Sequence, residues 1–303
     1  MSQGAAPFFS FVIPVYNCAE FLPRAAGSIL SNPSEDFELI LVDDGSSDGS
    51  SEQIRQLQLD SRVRALQQAN SGPGAARNHG VREAQGEYVW FLDCDDELLP
   101  EALHLARNYL MQKPDTDMLV GGHIKREING SERVRTTKPL GLDNSSNFVQ
   151  FIRKQLGSFS HGSVVVRRTV FDNLEYPEGI RNNEDLVLHA LILALYNCSS
   201  IPDPLVRIYG LPNSLRHNID SILESSVHIT SILFDHKLLP TKLLRYRREF
   251  NLGRKLSLFR SLYNAGRLRE ARQLYLYILR QYPAAIIRWS YLKKFIRSVL
   301  RCL

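Results

Sequence analysis

The chain has 303 residues, 44% of them hydrophobic and 23% charged, which is enough for one large α/β domain with an appendage around a real core. No stretch approaches the roughly twenty consecutive apolar residues of a membrane-spanning helix, and Met1–Pro7 lacks the basic-then-apolar pattern of a secretion signal, so a cytoplasmic protein is expected. The overall charge of +5 conceals two opposite halves: residues 241–303 carry 16 Lys or Arg against two acids, a net of +14, while residues 1–240 carry 21 basic and 30 acidic side chains, a net of −9.

In chain order, Phe9 to Tyr16 reads as a strand ending in the turn Pro14-Val-Tyr-Asn17, followed by a helix over about 18–31. A second strand, Phe37 to Val42, ends in Asp43-Asp-Gly-Ser-Ser-Asp48 before a helix over about 50–58. Asn70-Ser-Gly-Pro-Gly-Ala-Ala-Arg-Asn78 is a loop running into a helix over about 75–84. Then Tyr88-Val-Trp-Phe-Leu-Asp-Cys-Asp-Asp96 is an apolar run that stops at three carboxylates, ahead of a helix over about 100–112. Short apolar runs alternating with helical stretches predict a mostly parallel sheet with helices on its faces. In such sheets ligands bind outside the carboxyl ends of the strands, so these polar clusters are expected on one rim.

Clustered carboxylates at a strand end repel one another unless a cation or its ligands offset the cost. Asp93 and Asp95, two apart, are expected to share a strand face, with Cys94 turned away and packed as a small apolar side chain. The alternative is an acidic turn before a helix, with Asp96 or Glu97 as cap. Asp43, Asp44, Ser46 and Ser47 likewise either face a ligand or terminate a strand and cap the next helix. Tyr16 is placed to lie against a flat ring. Arg77, at a helix start after Gly-Pro-Gly, is suited to meet anionic oxygen or to pair with Asp44.

Further along, Asn182-Asn-Glu-Asp-Leu-Val-Leu-His189 opens a helix with two adjacent carboxylates, buried through Leu186, Leu188, Leu191 and Ile192. Helix capping alone would explain Glu184 and Asp185 about as well. His161, Arg207, Tyr209, Arg216 and His217 lie on segments able to close one side of a site. A boundary is expected near 218–240. Beyond it, Asn264 to Pro283 is similar to part of a tetratricopeptide repeat, which as one copy predicts a helical hairpin. Leu292, Phe295, Ile296, Val299, Leu300 and Leu303 recur at helical spacing with Lys293, Lys294, Arg297 and Arg301 between them. That pattern suits a helix lying on an anionic bilayer, or one packed on its own domain with a solvated basic face. Cys18, Cys94, Cys198 and Cys302 show no spacing of a zinc module or disulfide scaffold, and no nucleic-acid module accompanies the basic tail.

Taken together, Val12-Ile-Pro-Val-Tyr-Asn17, Val42-Asp-Asp-Gly-Ser46, Gly74-Ala-Ala-Arg-Asn78 and Asp93-Cys-Asp-Asp96 resemble family 2 glycosyltransferases of the GT-A fold, over about residues 8–216. The resemblance implies a Rossmann-like catalytic domain over 1–218, with a nucleotide-sugar half (1–115) and an acceptor half (116–218), and a basic helical region over 219–303. It implies an inverting enzyme that moves a sugar from a nucleoside-diphosphate donor to a saccharide or lipid-linked saccharide in bacterial surface glycan synthesis, peripheral on the cytoplasmic face of the inner membrane. Donor contacts would come from Pro14, Tyr16, Asn17, Asp44, Asn70, Gly74, Arg77, Asp93 and Glu184, with Asp44 reading the imide of a uracil or thymine. Asp95 would hold Mg²⁺ or Mn²⁺, Asp93 would contact sugar and metal shell, and Asp185 would deprotonate the acceptor. Many relatives have a glycine before the Glu-Asp pair, where this chain has Asn183. Two rivals predict differently. A sugar nucleotidyltransferase would carry a glycine-rich, lysine-containing N-terminal loop, which Val12 to Asn17 lacks, and a non-catalytic membrane-docking protein would tolerate loss of Asp185.

Overall fold

The computed structural model describes residues 6–34, 36–157, 159–180, 182–210 and 219–300. It divides into two compact units, Met1–Pro212 and Asn213–Leu303.

The first unit is built on a nine-stranded sheet. Strands β1 (Phe9–Val15), β2 (Phe37–Asp43), β3 (Val63–Gln67) and β4 (Tyr88–Phe91) are mutually parallel in the order β3-β2-β1-β4. They are joined by helices α1 (Leu22–Leu30), α2 (Ser50–Leu57) and α3 (Pro73–Glu83). β1 and β2 are covered on both faces, which is why they read as near-continuous apolar runs. β3 was not expected from sequence. It is an edge strand in which only Val63 is buried, and Arg64 and Gln67 break the apolar signal. After β5 (Glu97–Leu98) and α4 (Ala102–Gln112), the sheet continues through β6 (Met118–Arg126), β7 (Glu132–Arg135), α5 (Asn144–Ile152), β8 (Val164–Arg167), α6 (Glu184–Leu195) and β9 (Cys198–Tyr209). β8 runs antiparallel between β4 and β6, so the second half of the sheet is mixed although the first is wholly parallel.

Aromatic side chains fill the layer between sheet and helices. Phe11 stacks on Trp90 at 5.2 Å, Phe9 meets Trp90 edge-on at 5.6 Å, and the indole donates to the Gly162 carbonyl at 2.7 Å. α1 turns Leu22, Ala25, Ala26 and Ile29 into this core, the spacing of one helical face. α3 approaches the sheet so closely that a Cβ on Gly80 would lie 2.4 Å from Val12 Cγ1.

The rim differs from expectation at one point. β4 stops at Phe91, where its register with β1 ends, and Asp93 to Asp96 form a turn closed by the Asp96 amide donating to the Asp93 carbonyl at 3.0 Å. The acidic side chains therefore converge through a turn and not by strand alternation. Cys94 packs against the main core, as expected. The β1–β4 ladder ends beside Pro14: the Leu92 N–H still donates to the Val12 carbonyl at 3.1 Å, and the next bond would need the N–H that Pro14 lacks.

The second unit contains α7 (Ile219–Phe234), α8 (Arg247–Asn264), α9 (Leu268–Gln281) and α10 (Trp289–Leu300). α8 and α9 form the helical hairpin, turning at Gly266 with φ +76°. Phe259, Tyr275 and Phe295 make its core, with Tyr275 4.9 Å from each of the other rings.

Gly80→Ala is expected to destabilise the protein by about 1–3 kcal/mol, because a buried valine must move. Gly253→Ala, in α8 with nothing within 4 Å of the new Cβ, is expected to stabilise by about 0.5–1 kcal/mol. Denaturant midpoints of the two variants should move in opposite directions; equal shifts would refute the close helix–sheet contact.

Candidate functional site

The loops after β1 and β2 lock onto each other through their own polar groups. Asn17, at φ +48°, accepts from the Ser47 amide at 2.8 Å through its side-chain oxygen, and its backbone N–H donates to Ser46 Oγ at 3.1 Å. Asp43 accepts from the Ser46 amide at 2.9 Å and the Ser51 hydroxyl at 2.7 Å, so it closes the turn at the strand end without capping α2, whose N-cap is Gly49. Asp44 is 3% exposed and accepts from Gln68 Nε2, the Ser71 amide and the Gly72 amide, each at 2.8 Å. Its carboxylate thus organises the loop leading into α3. At Gly45, φ +76°, a Cβ would lie 3.0 Å from the Asn70 backbone nitrogen, which draws exposed Asn70 close to the β2 turn. Tyr16 stands half-exposed at the same rim, and Pro14 is partly covered below it.

Arg77 lies at the centre of a second cluster. It does not pair with Asp44, and it is not an open anion ligand. It is 4% exposed, with Nη2 donating to Asp93 at 2.7 Å and Nη1 to Glu184 at 2.7 Å. Burial opposes its charge, but Asp93 and Glu184 outweigh that, so its pKa lies above the ordinary arginine value. The ring of Tyr176 lies 5.4 Å from the guanidinium, and Asn78 grips the Tyr176 backbone with two bonds of 2.9 Å. Gly74 is turned inward as well, since a Cβ there would sit 3.3 Å from Tyr176 Cβ and 3.7 Å from Glu184 Cγ. One guanidinium therefore joins the acidic turn after β4 to the N-terminus of α6, 91 positions later.

At that terminus Asn183 has φ +64° and ψ 25°, left-handed geometry that glycine adopts freely and asparagine tolerates. Asparagine can therefore stand where the family resemblance leads us to expect glycine. Burial pushes the Glu184 carboxyl up, with Arg77 opposing and Asp185 adding to the rise. Asp185 has a side chain 36% exposed, with Oδ2 3.7 Å from Nδ1 of buried His161. His161 stacks on Tyr176 at 5.6 Å and lies 5.5 Å from His189. Burial, reinforced by the charge of Arg77 and opposed by Glu184, pushes the His189 pKa down to about 4.

The carboxylates of Asp93, Asp95 and Asp96 present oxygens within 4.8 Å of one another, a donor set that fits a hard divalent cation. The turn is held from beneath. Arg24 donates to the Asp95 carbonyl and lies 3.8 Å over the ring of Tyr209, whose amide donates to Asp96 at 3.2 Å and whose hydroxyl donates to Glu97 at 2.8 Å. Asp96 and Glu97 thus brace the turn against β9, and neither caps α4, whose N-cap is Glu101. Arg207 pairs with Glu97 and Glu132, so Arg207 and Tyr209 support the turn as part of β9. Arg216 and His217 lie outside the described residues.

The sequence model of the family described as Glycosyl transferase family 2 matches residues 10–175. The chain belongs to glycosyltransferase family 2. This family 2 chain is 30% identical over 207 residues to an uncharacterized glycosyltransferase of Rickettsia felis, a match covering 68% of this chain and 34% of that one. It thus spans about a third of the length of the Rickettsia relatives. It is 29% identical over 194 residues to the GalNAc(5)-diNAcBac-PP-undecaprenol beta-1,3-glucosyltransferase of Campylobacter jejuni, covering 59% of this chain and 57% of that one. Among solved structures, S. aureus TarS 1-349 in complex with UDP-GlcNAc superposes with a TM-score of 0.58 at 17% identity, covering 96% of this chain and 88% of that one. The mannosyltransferase PcManGT from Pyrobaculum calidifontis, in complex with GDP-Man and Mn²⁺, gives 0.59 at 15% identity, covering 98% and 87%. The fold is GT-A, as expected from the sequence motifs.

Sequence reading missed Arg24 and Tyr176 in this family 2 site. Asn78 was a signal for Tyr176, since a buried amide inside a helix needs a backbone partner elsewhere. Arg77→Met is expected to cost about 3 kcal/mol, because it leaves the buried Glu184 carboxylate and the half-buried Asp93 without their cation. Thermal melting checks this, and a loss below about 1 kcal/mol would refute the bridge as described. His189 generates a pH dependence. Its folded pKa lies below the unfolded value of about 6.5, so the unfolded chain takes up the proton first as pH falls. Up to about 3 kcal/mol of stability is then lost between about pH 6.5 and about pH 4. In His189→Leu, urea titrations at about pH 7.5 and about pH 4.5 should show that much less acid sensitivity.

Proposed function

We propose that the protein is an inverting glycosyltransferase that moves a sugar from a nucleoside-diphosphate donor to a hydroxyl of a saccharide or lipid-linked saccharide during bacterial surface glycan synthesis. The observation that carries the reading is the Arg77 bridge, because it puts the acidic turn and the Glu184-Asp185 pair in one site. Support for donor class comes from the UDP-GlcNAc and GDP-Man complexes of the structural neighbours, and for a lipid-linked acceptor from the name of the Campylobacter jejuni relative. Such an acceptor would keep the enzyme at the cytoplasmic face of the inner membrane.

In this reading Tyr16 stacks on the nucleobase at the rim, beside Pro14, Asn17 and Asn70. Asp44 and Gly74 shape the donor pocket through the loops they hold, with Asp44 near the base. Asp95, Asp93 and Asp96 are the residues that would hold Mg²⁺ or Mn²⁺, which when bound supplies Lewis-acid stabilisation of the departing diphosphate. Arg77 orients Asp93 and Glu184 toward the sugar. Asp185, at the positive end of the α6 dipole and open to solvent, takes the proton of the acceptor hydroxyl. The acceptor oxygen bonds to the anomeric carbon as the bond from that carbon to the diphosphate breaks, which inverts the configuration.

Asp185→Asn is expected to reduce transfer by roughly two or more orders of magnitude while leaving donor binding nearly intact, as loss of a general base does. A calorimetric screen of UDP-, GDP- and dTDP-sugars with Mn²⁺ identifies the donor on which turnover is measured. Undiminished turnover by Asp185→Asn would remove the base assignment, and undiminished turnover without metal would remove the role of Asp95.

A further inference from the structure

Helix α10 has two apolar sides, and among the described residues only one is covered. Leu292 and Phe295 pack on the core of the second unit, where Phe295 stacks on Tyr275 at 4.9 Å. Trp289, Ile296 and Leu300, at i, i+7 and i+11, form another line and are 60%, 43% and 63% exposed. The turn before the helix extends the patch with Ile286 and Ile287, 51% and 80% exposed. Exposed Arg288, Lys293 and Arg297 border it, and Lys293 reaches over the Trp289 ring at 5.3 Å. No acidic residue occurs in the sequence after Glu270, whereas seven basic ones do. No helix among the described residues is long and apolar enough to cross a membrane.

We propose that this patch docks the protein on an anionic phospholipid surface, with Ile286, Ile287, Trp289, Ile296 and Leu300 entering the acyl boundary and Arg288, Lys293 and Arg297 meeting lipid phosphates. The occupant follows from charge and apolarity together. A second copy would oppose one basic border with another. A nucleic acid would satisfy the cations but leave five large apolar side chains unburied against a polar backbone. An anionic bilayer satisfies both parts of the patch, and Trp and basic side chains are the groups that settle at its interface. The proposal stands apart from the transferase reading, because its readout is binding and not turnover.

The test uses the full chain and vesicles of phosphatidylcholine with or without phosphatidylglycerol. Wild type should sediment with the phosphatidylglycerol vesicles, less so as salt rises. The chain has two tryptophans, and Trp90 is fully buried, so a blue shift of emission on binding reports Trp289. Lys293→Gln with Arg297→Gln should weaken partition roughly thirtyfold. Ile287→Asp with Ile296→Asp should abolish it, and unchanged circular dichroism melts would show that these exposed substitutions leave the fold intact. The proposal fails if wild type does not sediment, if it binds both vesicle types equally, or if the aspartate variant binds undiminished. It also fails if light scattering shows a dimer that Ile296→Asp dissolves without any vesicle binding, which would make the patch an interface between copies.

Discussion

The site depends on the buried guanidinium of Arg77, which holds one carboxylate from each half of the first unit. Burying one cation with Asp93 and Glu184 is costly unless the geometry is tight. Here each terminal nitrogen meets its own oxygen at 2.7 Å, and the Tyr176 ring lies 5.4 Å away. The cluster acts as a gauge of the whole domain. α3 must lie at the right depth for Arg77 to reach β4 and α6 at once, and that depth is set where Gly80 meets Val12 and Val42. A packing contact in the core therefore fixes an ion pair at the rim.

The acids at the strand ends divide into two kinds. Asp43 and Asp44 are consumed by backbone N–H groups and polar side chains of neighbouring loops, so their charges build the rim. Asp93, Asp95 and Asp96 instead converge in a turn, with Arg77, Arg24 and Tyr209 securing it from three directions. A dense field of carboxylates is tolerable in the second case because the fixed guanidinium of Arg77 lies beside it.

Much of this was legible in the residues. β1, β2, β4 and helices α1 to α4 were readable because strands buried on both faces are short apolar runs, bounded here by Asn-, Asp- and Gly-rich turns. The Glu184-Asp185 helix was readable as a buried element with polar residues at its start. β3 was not, because one buried valine among Arg64 and Gln67 carries too little signal. The partner of Arg77 was not, because Asp44 and Glu184 are both acids after a turn, and only the loop from Gln68 to Gly72 decides which is already saturated. The division of α10 into a covered and an uncovered side was also out of reach. Periodicity reports that Phe295 and Ile296 are both apolar, not which of them another helix conceals.

Neighbouring carboxylates on α6 show how one turn of helix can separate two kinds of work. Successive residues point about 100° apart, so Glu184 turns into the protein toward Arg77 while Asp185 faces outward with its side chain 36% exposed. The left-handed Asn183 fixes that phase, because it sets where the helix begins and hence which acid faces inward. Starting the helix one residue later would put Asp185, one methylene shorter, at the position from which Glu184 reaches Arg77. A buried ion pair at the first position and an accessible carboxylate at the second both follow from the backbone conformation of the residue before them.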